Sequence, residues 1–351
     1  TADAPLVGRC SWLWSMRIVL ITPEGPTSRT GNRVAASRWA RILRSLGHRV
    51  RLAADYDGQP ADLMVAVHAW RSAAAIERFK ATFPERPVIL QLSGTDIYHY
   101  IDSDPEPTLR SMELADRLVA LNDLAWRVVP ERLRPRLGVI HQSAVTLPHP
   151  RQPSSRAAVV SVIGHLRDVK DPLRAAEAAR LLPATSRIRI EQVGRAYTPG
   201  WAARARAEME ANPRYLWRGD VPAAAVRRLL ARSHAMVISS LSEGGANVIS
   251  EAAVAGVPVL ASRIDGNVGL LGADYPGYFP AGDTEALARL LQRLEHEPRF
   301  VARLRQGLAR RAPLFRPARE IAAWRRLLAG LRRQSAASIT RDAVARPKDK
   351  P

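Results

Sequence analysis

Ala235-Met236-Val237-Ile238, followed by Ser242-Glu243-Gly244-Gly245-Ala246-Asn247-Val248-Ile249-Ser250-Glu251, is the stretch on which the reading of this chain turns. The first four residues form an apolar run of strand length. An Ala-rich helical run, Val248 to Ala255, follows and stops at Gly256. The unit therefore reads as strand, turn, helix. Glu243 falls in the turn and Glu251 within the helix. Free N–H groups and the helix dipole make such a turn an anion site. The Gly244-Gly245 pair lets a ligand approach the backbone closely. An anion site flanked by carboxylates suits a nucleotide-sugar: phosphates go to the N–H groups and sugar hydroxyls to the acids. A capped helix with Glu251 on a solvated face is the plainer alternative.

Outward from this unit, short apolar runs alternate with helical patterns along the chain. In the first half the strand candidates are Arg17–Ile21, Val50–Ala54, Leu63–Val67, Val88–Leu92, Leu118–Leu121 and Val139–His141. The clearest helix is Asn32–Leu46, stopped by Gly47. The second half repeats the pattern, with strands near Val159–Ile163, Ile188–Val193, Tyr215–Trp217, Ala235–Ile238 and Val257–Ala261. Continuous apolar strands separated by helices imply parallel sheets covered on both faces. The expected fold is α/β: two doubly wound, Rossmann-like domains facing a central cleft, with sites at the carboxyl ends of the strands. The expected boundaries are a leader outside the fold (1–15), a first domain (16–147), a linker rich in Pro, Arg and Ser (148–156) and a second domain (157–316). A last amphipathic helix (317–333) carries Ile321, Trp324, Leu327 and Leu328 on one face, and 334–351 reads as a disordered tail.

Composition narrows the function. The 351 residues suffice for two domains, and no apolar run approaches the roughly 20 residues of a membrane span. A lone cysteine, Cys10, excludes an internal disulfide and fits a reducing cytoplasm. The net charge is +20, and all but four of the 53 basic residues are arginine. These arginines are spread over helices without aromatic interleaving or a nucleic-acid motif, so acidic small molecules are expected rather than nucleic acid. The rarity of lysine makes Lys170 stand out. No His/Cys cluster has metal spacing, so no metal is expected.

Four further stretches fall at strand ends. Gly164-His165-Leu166-Arg167-Asp168-Val169-Lys170 follows the second half's first strand, and Lys170 and Arg167 could neutralise a departing diphosphate. Thr30-Gly31-Asn32-Arg33 opens the first helix and offers a second anion-friendly start. It is not Gly-x-Gly-x-x-Gly, which argues against a dinucleotide site. His68 and Arg71 follow the third strand, and Ser93-Gly94-Thr95-Asp96 the fourth. Asp102-Ser103-Asp104 reads as part of a Pro-rich loop away from any site.

The Glu243–Glu251 pair with its Gly-Gly turn resembles the glutamate-x7-glutamate signature of the retaining GT-B glycosyltransferases of family four. The order of halves, linker and last helix matches that fold from Met16 to about Arg333. The resemblance implies an acceptor domain first, a donor domain second, and a last helix that crosses back. It implies Glu251 at the nucleotide ribose, Glu243 at the donor sugar, and Gly244, Gly245, Ala246, Asn247 and Val248 around the phosphates and sugar. Lys170 matches the lysine on the diphosphate, Gly31 the glycine near the reacting centre, and Gly219 and Val221 the groups reading uracil. No cofactor is implied, the nucleotide-sugar being a substrate. Two departures stand out: His165 replaces the usual Arg after Gly164, and Ser93 replaces the usual His before Gly-Thr-Asp.

Arg17-Ile-Val-Leu-Ile-Thr-Pro23, Gly31-Asn-Arg33, Val67-His-Ala-Trp-Arg-Ser72, Gly94-Thr-Asp-Ile-Tyr98 and Gly164-His-Leu-Arg-Asp-Val-Lys-Asp-Pro172 are similar to the selenosugar synthases of the selenoneine pathway. This resemblance implies UDP-N-acetylglucosamine as donor and selenophosphate as acceptor. The acceptor would meet Gly31, Asn32, Arg33, His68, Arg71, Ser93, Thr95 and Asp96. Anionic, soft selenium would need no strong general base. An ordinary family-four transferase with a hydroxyl acceptor, and an epimerase or basic binding protein on the same fold, remain alternative readings.

Overall fold

A chain of apolar strands with helices between them can bury both faces of each strand only by pairing the strands in parallel. The computed structural model describes residues 15–345 except 24, 26, 27 and 29, with side chains to Leu331. The first domain runs β1 (Arg17–Ile21), α1 (Gly31–Ser45), β2 (Arg49–Ala53), β3 (Leu63–Val67), α2 (Ala73–Thr82), β4 (Val88–Gln91), α3 (Ile101–Ser103), α4 (Pro105–Leu114), β5 (Arg117–Ala120) and β6 (Leu137–Val139). The second runs β7 (Ala158–Ile163), α5 (Arg174–Arg180), β8 (Ile188–Val193), α6 (Pro199–Ala211), β9 (Tyr215–Trp217), α7 (Ala223–Arg232), β10 (Ala235–Ile238), α8 (Asn247–Ala255), β11 (Val259–Ser262), α9 (Asp265–Leu271), β12 (Tyr278–Phe279), α10 (Thr284–His296) and α11 (Pro298–Arg311). The last helix, α12, is Pro317–Ala345.

Both sheets are parallel throughout, in the orders β2-β1-β3-β4-β5-β6 and β12-β11-β10-β7-β8-β9. The strand order reverses between β1 and β3 in the first sheet, and between β7 and β10 in the second. Loops at these switch points diverge to opposite faces and leave a crevice where ligands sit. Every motif singled out at β1, β3, β7 and β10 therefore belongs to a crevice.

The last helix joins the domains. Trp324 packs edge-on against Trp39 of α1, ring centroids 4.8 Å apart, and both are fully buried. Buried Glu320 accepts hydrogen bonds from Trp39 Nε1 at 2.7 Å, Arg38 Nε at 3.1 Å and the Ser143 amide at 2.9 Å. Glu320→Ala would strand these donors, so it is expected to lower stability by about 3–5 kcal/mol, read from urea unfolding.

Several boundaries differ from expectation. The last helix does not stop at Arg333 but continues to Ala345, through residues expected to be a disordered tail; residues 346–351 and the leader to residue 14 lie outside the described residues. Its extra turns are Ala- and Ser-rich with few apolar positions, which hid them from a reading based on amphipathic periodicity. The Pro-rich stretch is helical: Pro105 sits at the start of α4, where its missing N–H costs nothing. Asp102 and Ser103 belong to α3, and Asp104 accepts from Trp70 Nε1 at 2.7 Å. β11 begins two residues late because the Val257 amide closes α8 on Ala252 and Pro258 has no amide to give. The 148–156 segment has neither helix nor strand.

Candidate active site

Both switch points open onto one cleft of about 910 Å³ between the domains. From the second domain, the loop after β7 brings Gly164, His165, Arg167 and Lys170 to its wall, and the turn after β10 brings Glu243 to Val248. Glu251, one helical turn further along α8, lines it as well. Gly31 and Asn32 at the start of α1, His68 and Arg71 after β3, and Ser93 and Thr95 after β4 face them from the first domain. Thr30 caps α1, its hydroxyl accepting from the Arg33 amide at 3.5 Å.

The two acids sit in different surroundings. Glu243, 8% exposed, accepts from Ser240 Oγ at 2.6 Å and forms an ion pair with Lys170 Nζ. That pair holds the chain's most distinctive cation against the turn. Burial pushes the Glu251 carboxyl above its ordinary range, against the pull of Arg38 and Arg227. Glu251 is half-buried in the cleft wall rather than on an open surface.

The substituted loop is built around an aromatic. His165 Nδ1 accepts from the Arg195 amide at 3.1 Å and its ring lies 5.6 Å from that of Tyr197. Arg167 and Arg195 each place a guanidinium 5.5 Å from the same ring. The buried Nε of Arg167 has no hydrogen-bond partner among the described residues.

Three expected site residues are placed elsewhere. Arg33 does not line the cleft: the wall is the stripe Gly31, Val34, Arg38 and Arg41, spaced by three and four along α1, and Arg33 lies off it. Asp96 is wholly buried and spends its carboxylate on the amides of Ser93 (2.7 Å), Ala69 (2.9 Å) and Trp70 (3.3 Å), and on His68. It cannot also contact an acceptor. Gly219 adopts φ 68° and its carbonyl accepts from the Gly194 amide at 2.8 Å, so it shapes the loop while Asp220 and Val221 line the cleft.

Other wall residues escaped the sequence. Arg38 donates to Asn247 Oδ1 at 3.2 Å and to Gln142 Oε1 at 2.6 Å, bridging the domains. Asn122, fully buried, donates across the interface to the Gly244 carbonyl at 2.8 Å, and Gln142 to the Gly245 carbonyl at 3.3 Å. Gly94 and Gly244 meet backbone to backbone: a methyl on either would overlap the other's main chain. The helical spacing from Gly31 could have pointed to Arg38, but arginine is too common here to be informative. Among the described residues no three His, Cys, Asp or Glu side chains could hold a metal, and no helix is long and apolar enough to cross a membrane.

Residues 149–312 match the family model for glycosyl transferases group 1. The fold is shared with HepE from Anabaena, solved with UDP-glucose, at 15% identity over 90% of this chain and 100% of that one (TM-score 0.73). It is shared with sucrose-phosphate synthase from Thermosynechococcus elongatus at 16% identity over 92% and 99% (TM-score 0.71). TarM of S. aureus, solved as a variant with UDP, alpha-GlcNAc-glycerol and Fondaparinux, is similar at 13% identity over 76% and 55% (TM-score 0.60). No curated protein matches the chain. The chain has the GT-B fold, and residues 149–312, covering most of its second domain, match the glycosyl transferases group 1 family.

Proposed function

We infer that the cleft transfers N-acetylglucosamine from UDP-N-acetylglucosamine to selenophosphate, forming a carbon–selenium bond at the anomeric carbon and releasing UDP. The observation that carries this reading is the placement of acids in the cleft: cations line both walls, but acids line only one. Among the described lining residues, all three carboxylates, Asp220, Glu243 and Glu251, come from the second domain. Among the described lining residues the first domain contributes Arg41, Arg71 and the start of α1, and no acid. Carboxylates suit the hydroxyls of ribose and sugar, while cations and a helix start suit a small anion. The charge pattern thus supports an anionic, phosphate-sized acceptor, and the first-domain motifs support selenium as its nucleophilic atom.

On the donor side, Lys170 and Arg167 meet the leaving diphosphate, and the amides of Gly244 to Val248 hold phosphate and sugar. UDP-glucose in HepE and UDP in TarM support a uridine nucleotide. Glu251 takes the ribose hydroxyls. Glu251→Gln is expected to raise the donor KM by about 10-fold, the loss of one charged hydrogen bond. Because burial disfavours the Glu251 charge, the same change should leave the melting temperature at pH 7 unchanged or raised. The sign follows from a carboxyl raised in the folded state: its ionisation above that value costs stability, and glutamine removes the cost.

The assay of the reading is direct. With UDP-N-acetylglucosamine, UDP release should require selenophosphate, and mass spectrometry should find selenium in an N-acetylglucosamine product. Release at the same rate without selenophosphate, with no selenium in any sugar, would overturn it.

A further inference from the structure

The first-domain wall holds a buried acid–base group that the donor chemistry does not use. His68 follows β3 at the switch point with φ 78°, a conformation that costs a side chain other than glycine and that persists where the surroundings enforce it. The enforcement comes from Asp96, whose carboxylate contacts His68 Nδ1 and is itself fixed by three backbone amides. On the other side of the ring, Nε2 lies 2.9 Å from Thr95 Oγ1. Both Thr95 and His68 belong to the cleft wall. Carboxylate, imidazole and hydroxyl in this order form the arrangement in which a buried acid orients a histidine to take a proton from the hydroxyl.

We propose that Asp96, His68 and Thr95 form a proton relay serving the acceptor, with Thr95 and His68 catalytic and Asp96 positioning. As the acceptor atom bonds to the anomeric carbon, the bond from that carbon to the nucleotide oxygen breaks and its electron pair leaves with the diphosphate beside Lys170. The acceptor's proton passes to Thr95 Oγ1 while that hydroxyl gives its own to His68 Nε2. Asp96 stabilises the imidazolium, which returns the proton to solvent when products leave. The relay rests on the transferase reading of the cleft but not on the acceptor atom: a protonated phosphate-class anion, a sugar hydroxyl and water each bring a proton. It accords with the sequence expectation that no strong general base is needed, by supplying a weak one. The groups facing His68 are the Asp96 carboxylate, the Tyr100 ring at 5.9 Å with His99 beyond it, and the Arg71 amide at 3.3 Å from Nδ1. The Arg71, Lys170 and Glu243 side chains share its cleft.

The test uses His68→Asn, because asparagine tolerates positive φ, together with Thr95→Val and Thr95→Ser. UDP release is measured with selenophosphate and, separately, with water as acceptor. In His68→Asn both rates are expected to fall about 100-fold or more, with the donor KM within about twofold of wild type. Thr95→Val should slow both reactions as well, and Thr95→Ser should recover most of the rate. Wild-type rates in His68→Asn would overturn the relay. So would a loss matched by a raised donor KM or a lowered melting temperature, which marks a structural role. Wild-type turnover with water but not selenophosphate would overturn the acceptor reading and leave the relay to its own variants. Wild type inert with both would overturn the two together.

Discussion

Glu243→Gln is expected to lower kcat by about 10²–10³-fold, the usual effect of removing one preorganised charge from a reacting centre, with little change in folding stability. The carboxylate sits in the β10–α8 turn, paired with Lys170 and hydrogen-bonded by Ser240. Glutamine keeps the volume and an oxygen for Ser240, and removes only the charge. The Lys170 side chain is 24% exposed, so its ammonium keeps some water when the pair is lost. The reverse deletion is less clean: Lys170→Ala leaves a buried carboxylate with no counter-ion, which costs about 3–5 kcal/mol on top of the lost diphosphate contact. Single-turnover UDP release, with thermal melting as control, separates these. Rates in Glu243→Gln close to wild type would remove it from the reacting centre.

Gly94→Ala is expected to cost about 100-fold in kcat/KM, the scale of an ångström-sized misplacement at a reacting centre, while each domain stays folded. The Ser93–Thr95 loop and the Glu243–Gly245 turn come from different domains and meet at Gly94 and Gly244 with nothing but backbone between them. Main chain cannot rotate aside as a side chain would, so an added methyl has to push the domains apart. That separates the two walls of the cleft and stretches the Asn122 and Gln142 bonds to Gly244 and Gly245. Gly138→Ala is the control, since a methyl there meets nothing within 4 Å. The expected result is a larger radius of gyration in solution scattering for Gly94→Ala only. Unchanged kinetics would show that the two loops separate during turnover at no cost.

Much of this architecture was legible from residue types. Apolar runs marked most strands of both sheets, because a strand covered on both faces has no polar positions to blur the signal. The sequence placed Glu243, Lys170, His68 and Ser93 after strand ends and Glu251 in the helix that follows one, and the structure brings all five to one cleft. Features lacking a periodic signature were lost. β12 has only two residues. α4 begins at a proline that reads as a loop until its position in the first turn is known. Arg33 and Arg38 could not be ranked, since the choice depends on the rotation of α1 about its axis, which is set by Trp39 packing against Trp324 nearly three hundred residues away.

The sequence by itself determined two parallel-sheet domains and a Gly-Gly turn between strand and helix, because strand pattern, glycine turn and helix start are local facts that a few neighbouring residues impose. Tertiary structure alone decided which groups act together. Asp96 became a support for His68 rather than an acceptor contact, Asn122 and Gln142 became interdomain ties, and Gly94 became a point of contact. Each of these depends on partners from separate loops or from the other domain. Hydrogen bonds and exclusion across such distances have no period along the chain, so only the packed fold can specify them.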